Sequence, residues 1–209
     1  MLRFKLLGVR IEVDFWFVAL VTIFLLTDRS GVSVIALLAC FIHESAHLLA
    51  FLAVGCTPRA LVFELTGIRL VKPAQALSPG RDAFVQLAGS AANLLVFALL
   101  ASTTASVSYW SIFAVTHLLL GVFNLLPLRC LDGGKLLELL CLHFWGERAA
   151  ERVCAAADLL TTIGLFGVAV YTLVSGERSM TFLFFSGGLF VALLARLRQS
   201  TRFPRRRER

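Results

Sequence analysis

The chain has 209 residues, of which 58% are hydrophobic and 16% are charged, and its mean hydropathy is +0.85. Soluble domains rarely have this composition, so the sequence predicts an integral membrane protein. The net charge of +7 does not indicate a nucleic-acid partner, because the lysines and arginines flank long apolar blocks, as they do at the cytoplasmic ends of membrane helices.

The N-terminal segment alternates apolar and polar residues on both sides of Gly8, which predicts a β-hairpin with strands over residues 2–7 and 9–13. The first apolar block, Phe15–Thr27, follows directly. Its 13 residues are short for a membrane span, because a bilayer core needs about 20 helical residues. We therefore expect this block to be tilted, or to be extended by its flanking residues.

The second apolar block, residues 34–54, has the length of a full span. Beyond it, residues 60–65 and 68–72 form two alternating runs around Gly67, which predicts a second β-hairpin. We expect the two hairpins to form one small sheet at the cytoplasmic side of the membrane.

Four further apolar blocks follow, at residues 82–102, 109–126, 159–174 and 181–197. Between the second and third of these, the pattern predicts a short helix and then an amphipathic connector that begins at Gly146. The predicted fold is therefore an α-helical membrane protein with about six transmembrane helices and short β-hairpins. We expect a single intramembrane domain over residues 1–198 and a basic cytoplasmic tail over residues 199–209.

The sequence H-E-S-A-H places His43, Glu44 and His47 inside the second apolar block. A charge near the centre of a membrane helix costs roughly 2.5–3.5 kcal/mol on insertion scales, so these side chains need a specific compensation. Residues i and i+4 share one face of a helix, so both histidines can bind one metal ion. Glu44 lies about 100° around the helix and can act on water as a general base. The pattern therefore predicts a catalytic zinc site.

A catalytic zinc ion needs a third protein ligand, and the residues alone leave its identity open. Asp132 follows Pro127, which ends or kinks a helix, and precedes Gly133 and Gly134, which allow another group to approach the backbone closely. Taken alone, however, an Asp-Gly turn at the start of a helix would explain Asp132 better than metal binding. Two other aspartates at the ends of apolar blocks are better explained as helix caps: Asp82 and Asp158.

The two motifs together resemble the site-2 protease family of intramembrane zinc metalloproteases, of the M50 type. That family combines H-E-x-x-H with the pattern N-x-x-P-x-x-x-x-D-G, and four residues match the second pattern position by position: Asn124, Pro127, Asp132 and Gly133. The resemblance implies Zn²⁺ bound by His43, His47 and Asp132. It also implies that Glu44 is the catalytic base.

Family members often carry G-P-x-x-N in the span between these motifs, and here Gly89 and Asn93 occupy the matching positions. Ser90 stands at the proline position, and Ala46 stands where glycine is frequent before the second histidine. For Asn93 and Asn124, stabilisation of the substrate or of a developing oxyanion is one interpretation. Hydrogen bonding between helices is an equally good one.

In its small size and overall plan, the chain most resembles the sporulation members of the family. Those members cleave a membrane-associated sigma-factor precursor. The resemblance implies hydrolysis of membrane-associated protein substrates in the lipid bilayer, with a regulatory membrane protein as a further partner and no nucleic acid.

Two alternatives stay open at this point. One is a membrane zinc peptidase of a different class, with a third ligand from a later helix: Glu138, Glu147 or Glu151. The other is a zinc-binding scaffold or a transporter without proteolytic activity. Neither a scaffold nor a transporter needs a carboxylate such as Glu44 beside two metal ligands.

The distribution of basic residues predicts that both termini lie in the cytoplasm. With six spans, this orientation places eighteen of the twenty lysines and arginines in cytoplasmic segments. Reporter fusions at the C-terminus and near Ser106 should therefore report opposite sides of the membrane. If both fusions report the same side, the predicted number of spans is wrong.

Overall fold

The structure is a computed structural model that describes residues 2–6, 9–64, 67–71, 77–101 and 109–175. The chain divides into two compact units, Met1–Leu125 and Leu126–Arg209. Within the described ranges, the first unit contains a sheet and four helices, and the second contains one long helical element. In chain order the elements are β1 (Leu2–Leu6), β2 (Val9–Val13), α1 (Phe15–Thr27), α2 (Val32–Ala53), β3 (Ala60–Glu64), β4 (Gly67–Val71), α3 (Pro79–Ala101), α4 (Tyr109–Asn124) and α5 (Asp132–Val174).

The four strands form one sheet in the order β1-β2-β3-β4. Each hairpin is antiparallel, and the parallel pair β2–β3 joins the two hairpins, with Ile11 opposite Leu61 and Val13 opposite Phe63. The backbone N–H of Asp14 donates to the carbonyl of Phe63 at 2.9 Å, which extends this pairing to the start of α1. The predicted hairpins and their common sheet are therefore confirmed.

The turn between α1 and α2 is organised by the carboxylate of Asp28. Its oxygens accept hydrogen bonds from the Ser30 backbone N–H at 2.7 Å, the Ser30 hydroxyl at 2.5 Å and the Ser33 backbone N–H at 2.6 Å. The hydroxyl of Ser30, and then the backbone groups of Ser33 and Ser30, hold the pKa of Asp28 below its usual range. This turn sets the residue at which the histidine-bearing helix begins.

Helices α2, α3 and α4 bury polar side chains and expose apolar ones. The buried side of α3 carries Gln86, Ser90 and Asn93, while Leu95 and Leu99 on the same helix are 60% and 66% exposed. A soluble helix would have the opposite arrangement. The pattern fits helices surrounded by hydrocarbon, where polar groups must find partners inside the protein.

Three helical segments are long and apolar enough to cross a membrane: Val32–Ala53, Pro79–Ala101 and Asp132–Thr172. The apolar helices α1 and α4 are shorter, at 13 and 16 residues. These helices and the four-stranded sheet confirm the prediction of a largely helical membrane protein with a small sheet. The expected count of six spans stays a prediction, because the last apolar block, residues 181–197, lies outside the described residues.

The long element α5 is not a single straight helix, because it breaks at Gly146, where φ is 76°. In an unbroken helix, Asp132 and Asp158 would be about 39 Å apart at 1.5 Å per residue. Instead, a carboxylate oxygen of Asp158 accepts a hydrogen bond from the backbone N–H of Arg129 at 3.0 Å, just before the helix begins. The chain therefore folds back at Gly146 into a first arm, residues 132–145, and a second arm, residues 147–174.

This break changes one detail of the sequence prediction. The amphipathic segment that begins at Gly146 is not a separate connector between two helices. It forms the first turns of the second arm and continues directly into the predicted fifth span. The turn occurs at Gly146 because a positive φ is easily adopted by glycine and costly for other residues.

Asp158 should stabilise the fold by holding the segment before Asp132 in place. Replacing Asp158 with Ala leaves the backbone N–H of Arg129 without its acceptor, which we expect to lower the free energy of unfolding by about 1–3 kcal/mol. Asp158→Asn should cost less, because its amide oxygen can still accept the bond. Thermal unfolding of the purified protein in detergent, followed by tryptophan fluorescence, measures both effects.

Glu147→Ala provides the control, because Glu147 is an exposed residue of the same arm. We expect this variant to unfold at the temperature of the parent protein. Equal unfolding temperatures for Asp158→Ala and Glu147→Ala would contradict the proposed contribution of Asp158.

Candidate metal centre

The two histidines of the H-E-S-A-H motif lie one turn apart on the buried side of α2. His43 is 4% exposed and His47 is 6% exposed. Their Nε2 atoms are 3.1 Å apart. Zinc–nitrogen bonds are about 2.0–2.1 Å long, so two such bonds can meet at one ion from nitrogens at this separation. The predicted i, i+4 pair is therefore arranged as a metal site requires.

The second ring nitrogen of each histidine contacts a polar group on α3. Nδ1 of His47 lies 2.7 Å from the carbonyl oxygen of Val85. Since a carbonyl only accepts, the proton of a neutral His47 is on Nδ1, and Nε2 keeps its lone pair for a metal. Nδ1 of His43 lies 3.1 Å from the side-chain amide of Asn93. Metal-binding histidines are commonly oriented by such contacts at the other nitrogen.

Gly89 leaves open the space in front of the two Nε2 atoms. A Cβ atom built on Gly89 would collide with Nε2 of His47 and would lie 2.6 Å from Nε2 of His43. Any other residue here would fill the position that an ion bound by both histidines needs. The histidines and the glycine beside them therefore fit a metal ion.

Asp132 is buried at the start of the first arm of α5, with 5% of its surface exposed. One of its oxygens accepts from Nζ of Lys135 at 2.9 Å. The preceding turn packs closely on the helix at Gly134, where an added Cβ would collide with the carbonyl of Leu128 and would lie 2.6 Å from the nitrogen of Arg129. Gly134 is thus needed for the backbone conformation that precedes this carboxylate.

The three residues of the predicted ligand set are His43, His47 and Asp132; each is buried and each offers one atom that zinc accepts. The alternative carboxylates Glu138, Glu147 and Glu151 are exposed. The chemistry of the buried donors supports the cofactor prediction of zinc.

The other predicted site residues have different surroundings. Glu44 follows His43 directly and is half-buried. The amide nitrogen of Asn124 donates to the carbonyl oxygen of Leu120 in its own helix at 3.0 Å. Asn93 is fully buried between His43 and His117. For both asparagines, a role toward the substrate stays a prediction.

The position of His117 could not be predicted from the sequence. This histidine of α4 is fully buried, and its Nδ1 lies 2.9 Å from Oδ1 of Asn93. In the sequence, His117 lies on the same helical face as Asn124 and has no partner motif. Packing or hydrogen bonding is the better interpretation of such a lone histidine. Asn93 and His117 are 24 residues apart, so their contact could have been predicted only by knowing that α3 and α4 pack together.

Comparisons with known proteins agree with the motif resemblance. The sequence model of Peptidase family M50 matches residues 98–168, which include Asn124, Pro127, Asp132 and Gly133 but not the two histidines. The chain is 29% identical over 160 residues to the protein named "Putative zinc metalloprotease Rip3" in two strains of Mycobacterium tuberculosis, Erdman and H37Rv. This match covers 70% of the chain and 40% of each relative, so the chain spans about two fifths of their length.

The fold is similar to that of the site-2 protease from Methanocaldococcus jannaschii, with a TM-score of 0.63 and 16% sequence identity. The match covers 93% of this chain and 94% of the other. At this identity the likeness concerns the fold. The family-model match and the named relatives are what confirm the resemblance to the site-2 protease family that the motifs indicated.

Replacing Gly89 with Ala should abolish zinc binding without unfolding the protein. The new methyl group would occupy the space in front of both Nε2 atoms, while alanine in the middle of a helix is normally favoured over glycine by about 0.5–1 kcal/mol. Zinc content per chain, measured by atomic absorption on protein purified in detergent, checks this expectation.

Gly164→Ala is the matched control, because a Cβ at this helical glycine meets no atom within 4 Å. We expect this variant to keep the zinc content of the parent. A full complement of zinc in Gly89→Ala would show that the ion does not bind in front of the two histidines.

Proposed function

We propose that this relative of the site-2 proteases is a zinc-dependent endopeptidase that cuts membrane-associated proteins within the lipid bilayer. The observation that carries the proposal is the arrangement of His43 and His47. They are buried in a helix long enough to span a membrane, with Nε2 atoms 3.1 Å apart and the remaining nitrogens held by α3. Two buried imidazoles in hydrocarbon need a compensating partner, and a shared cation provides one.

We assign the metal ligands as His43, His47 and Asp132. Two imidazoles and one carboxylate are a common ligand set of catalytic zinc, which keeps a fourth position open for a reactant. Zinc bound in this way supplies Lewis acidity, which makes water more acidic and polarises a peptide carbonyl.

Glu44 acts as the general base in this proposal. It follows His43 directly, so it is close to the reaction without being a ligand, and its half-buried position differs from the full burial of the histidines. Its carboxylate accepts the proton of the attacking water and then donates it to the leaving amine, so that the proton moves from water to product and the residue is restored. No other group of the chain needs to change its protonation.

The membrane location follows from the same residues and defines the class of substrate. A peptide in a transmembrane helix has its carbonyls in hydrogen bonds, so a substrate must be locally extended before attack. We therefore propose a membrane-associated protein substrate, and both termini of the enzyme in the cytoplasm as the basic residues indicate. A sigma-factor precursor, a regulatory membrane protein and a role in sporulation stay predictions from the resemblance alone.

The scaffold and transporter alternatives are less well supported. A transporter that uses midplane histidines must leave them accessible to its cargo, whereas here both Nδ1 atoms contact groups of α3, at 2.7 and 3.1 Å, and the two Nε2 atoms lie 3.1 Å apart. A scaffold would not require the carboxylate at position 44. The alternative with a glutamate ligand would require Glu138, Glu147 or Glu151 to bind the metal, and all three are exposed.

Replacing Glu44 with Gln should separate catalysis from metal binding. The change nearly preserves the size of the side chain and leaves all three proposed ligands in place, so zinc content should equal that of the parent. Cleavage should fall by a factor of about 100 to 10,000, the range for a lost general acid–base group. Cleavage of membrane-bound reporter proteins by purified protein in liposomes measures the rate.

Two reference variants sharpen this experiment. Asp132→Ala should lose zinc as well as activity, because it removes a proposed ligand. Glu147→Gln should keep both, whereas the alternative with a glutamate ligand predicts loss of zinc. Unchanged turnover in zinc-loaded Glu44→Gln would refute Glu44 as the base.

Natural substrates can be sought by comparing the membrane proteins of cells that contain the parent or Glu44→Gln, because uncut substrates should accumulate with the variant. If no membrane protein differs between these cells and the zinc-loaded parent cuts no reporter, a zinc scaffold becomes the better interpretation.

A further inference from the structure

A buried chain of polar side chains continues from the metal centre into the contact between α3 and α4. Nδ1 of His43 lies 3.1 Å from Nδ2 of Asn93, and Oδ1 of Asn93 lies 2.9 Å from Nδ1 of His117. Asn93 and His117 are both 0% exposed. Nε2 of His117 has no hydrogen-bond partner within the described part of the chain. The mechanism proposed above uses neither Asn93 nor His117.

The chemistry of metal binding fixes the direction of the hydrogen bonds in this chain. If His43 binds a metal through Nε2, its only proton is on Nδ1, so Nδ1 must donate to an acceptor. The acceptor available at Asn93 is the amide oxygen. The oxygen and nitrogen of an asparagine amide have nearly the same shape, and the hydrogen-bond network decides which of them faces a given group. The metal-binding form of His43 therefore requires Oδ1 of Asn93 to face it and Nδ2 to face His117, which is the reverse of the placement described above.

The same choice determines the protonation of His117. When the oxygen of Asn93 faces His43, its NH₂ group faces Nδ1 of His117 and donates to it. His117 must then be the tautomer with its proton on Nε2. With the opposite amide orientation, Nδ1 of His117 would donate to the oxygen and Nδ1 of His43 would have to accept, which leaves His43 with a protonated Nε2 that cannot bind a metal.

We propose that Asn93 and His117 are positioning residues that hold His43 in its metal-binding tautomer. His117 orients the amide of Asn93, and Asn93 orients the ring of His43 and directs its Nε2 lone pair toward the metal. The proposal rests on the assignment of His43 as a ligand in the proposed function. It gives Asn93 a role different from contact with the substrate, because both ends of its amide are directed at histidines.

A purely structural role for Asn93 makes opposite predictions about two substitutions. If Asn93 only packs α3 against α4, Asn93→Leu should be the better tolerated change, since leucine is apolar and branches at the same atom, and Asn93→Asp should be harmful, since it buries a charge. If Asn93 orients His43, Asn93→Asp should be tolerated, because a carboxylate accepts from Nδ1 of a metal-binding histidine. Asn93→Leu should then be harmful.

The first measurement is the zinc dissociation constant, obtained by competition with a chelator on protein in detergent. For Asn93→Leu we expect zinc binding about 10–100-fold weaker than in the parent, the usual range for loss of a group that orients a metal ligand. Asn93→Asp should stay within a few-fold of the parent. His117→Phe, which keeps a ring but removes Nδ1, should weaken binding less than Asn93→Leu.

The double variant Asn93→Leu/His117→Phe tests whether both residues act through one chain. Its loss of zinc affinity should equal that of Asn93→Leu alone, because His117 acts only through Asn93. This comparison still decides the matter if Asn93→Asp fails to fold. Additive losses would contradict a common chain.

The second measurement is the tautomer of His117, read from ¹⁵N chemical shifts of protein labelled at histidine. The chain has only four histidines, so the spectrum can be assigned by single substitutions. In the zinc-loaded parent we expect the proton of His117 on Nε2. In Asn93→Asp it should move to Nδ1, because a carboxylate can only accept. An unchanged tautomer would overturn the proposal.

Gln86→Leu is the matched control, because Gln86 is another buried amide of α3 and bonds to Asp82 at 3.2 Å. It should keep the zinc affinity of the parent and the tautomer of His117.

The proposed function and the proposed role of Asn93 can also fail separately. A parent protein without zinc would contradict the metal centre itself, whereas equal zinc affinity in the parent and in Asn93→Leu would contradict only the role of Asn93.

Discussion

The arrangement of the first unit depends on the burial of two imidazole rings in a helix that is otherwise apolar. Polar groups in hydrocarbon must find partners within the protein, and each partner of His43 and His47 comes from a different kind of group: a backbone carbonyl of Val85, a side-chain amide of Asn93, and the opposing Nε2 atom. These requirements place α3 directly against α2. They also explain why the polar residues of α3 lie on its buried side.

Close packing around the histidines requires small residues as much as polar ones. Gly89 lets α3 approach the two Nε2 atoms without filling the space between the helices, and Gly121 lets α4 approach α3, where an added Cβ would lie 3.1 Å from Leu94 and 3.2 Å from the carbonyl of Ser90. Small residues commonly allow membrane helices to pack closely. In this chain Gly89 also leaves room in front of the two Nε2 atoms, where we propose that the metal binds.

In the second unit, the segment before Asp132 is held by groups that come from later in the chain. Asp158 accepts from the backbone of Arg129, and a guanidinium nitrogen of Arg129 donates to the carbonyl of Glu151 at 3.0 Å. These contacts require the chain to fold back at Gly146. A rigid turn around Asp132 favours its proposed role as a ligand, because a ligand that is already held in place loses little conformational entropy when an ion binds.

The sequence by itself determined the class of the protein, both hairpins and the four helices of the first unit to within a few residues, and it led to the proposal of His43 and His47 as ligands with Glu44 as the base. Asp132 entered the proposed ligand set only through the resemblance to a family. These features follow from local rules: apolar blocks, alternation, and the i, i+4 spacing of His43 and His47. Only the tertiary structure decided that Asn93 contacts two histidines, that Gly89 keeps a space open, and that Asp158 lies inside a helical arm and bonds to Arg129 instead of capping a helix. The partners in these contacts are 24 to 50 residues apart. No periodicity along the chain encodes such pairs, because they arise only when separate helices pack and each buried polar group takes the partner that packing provides.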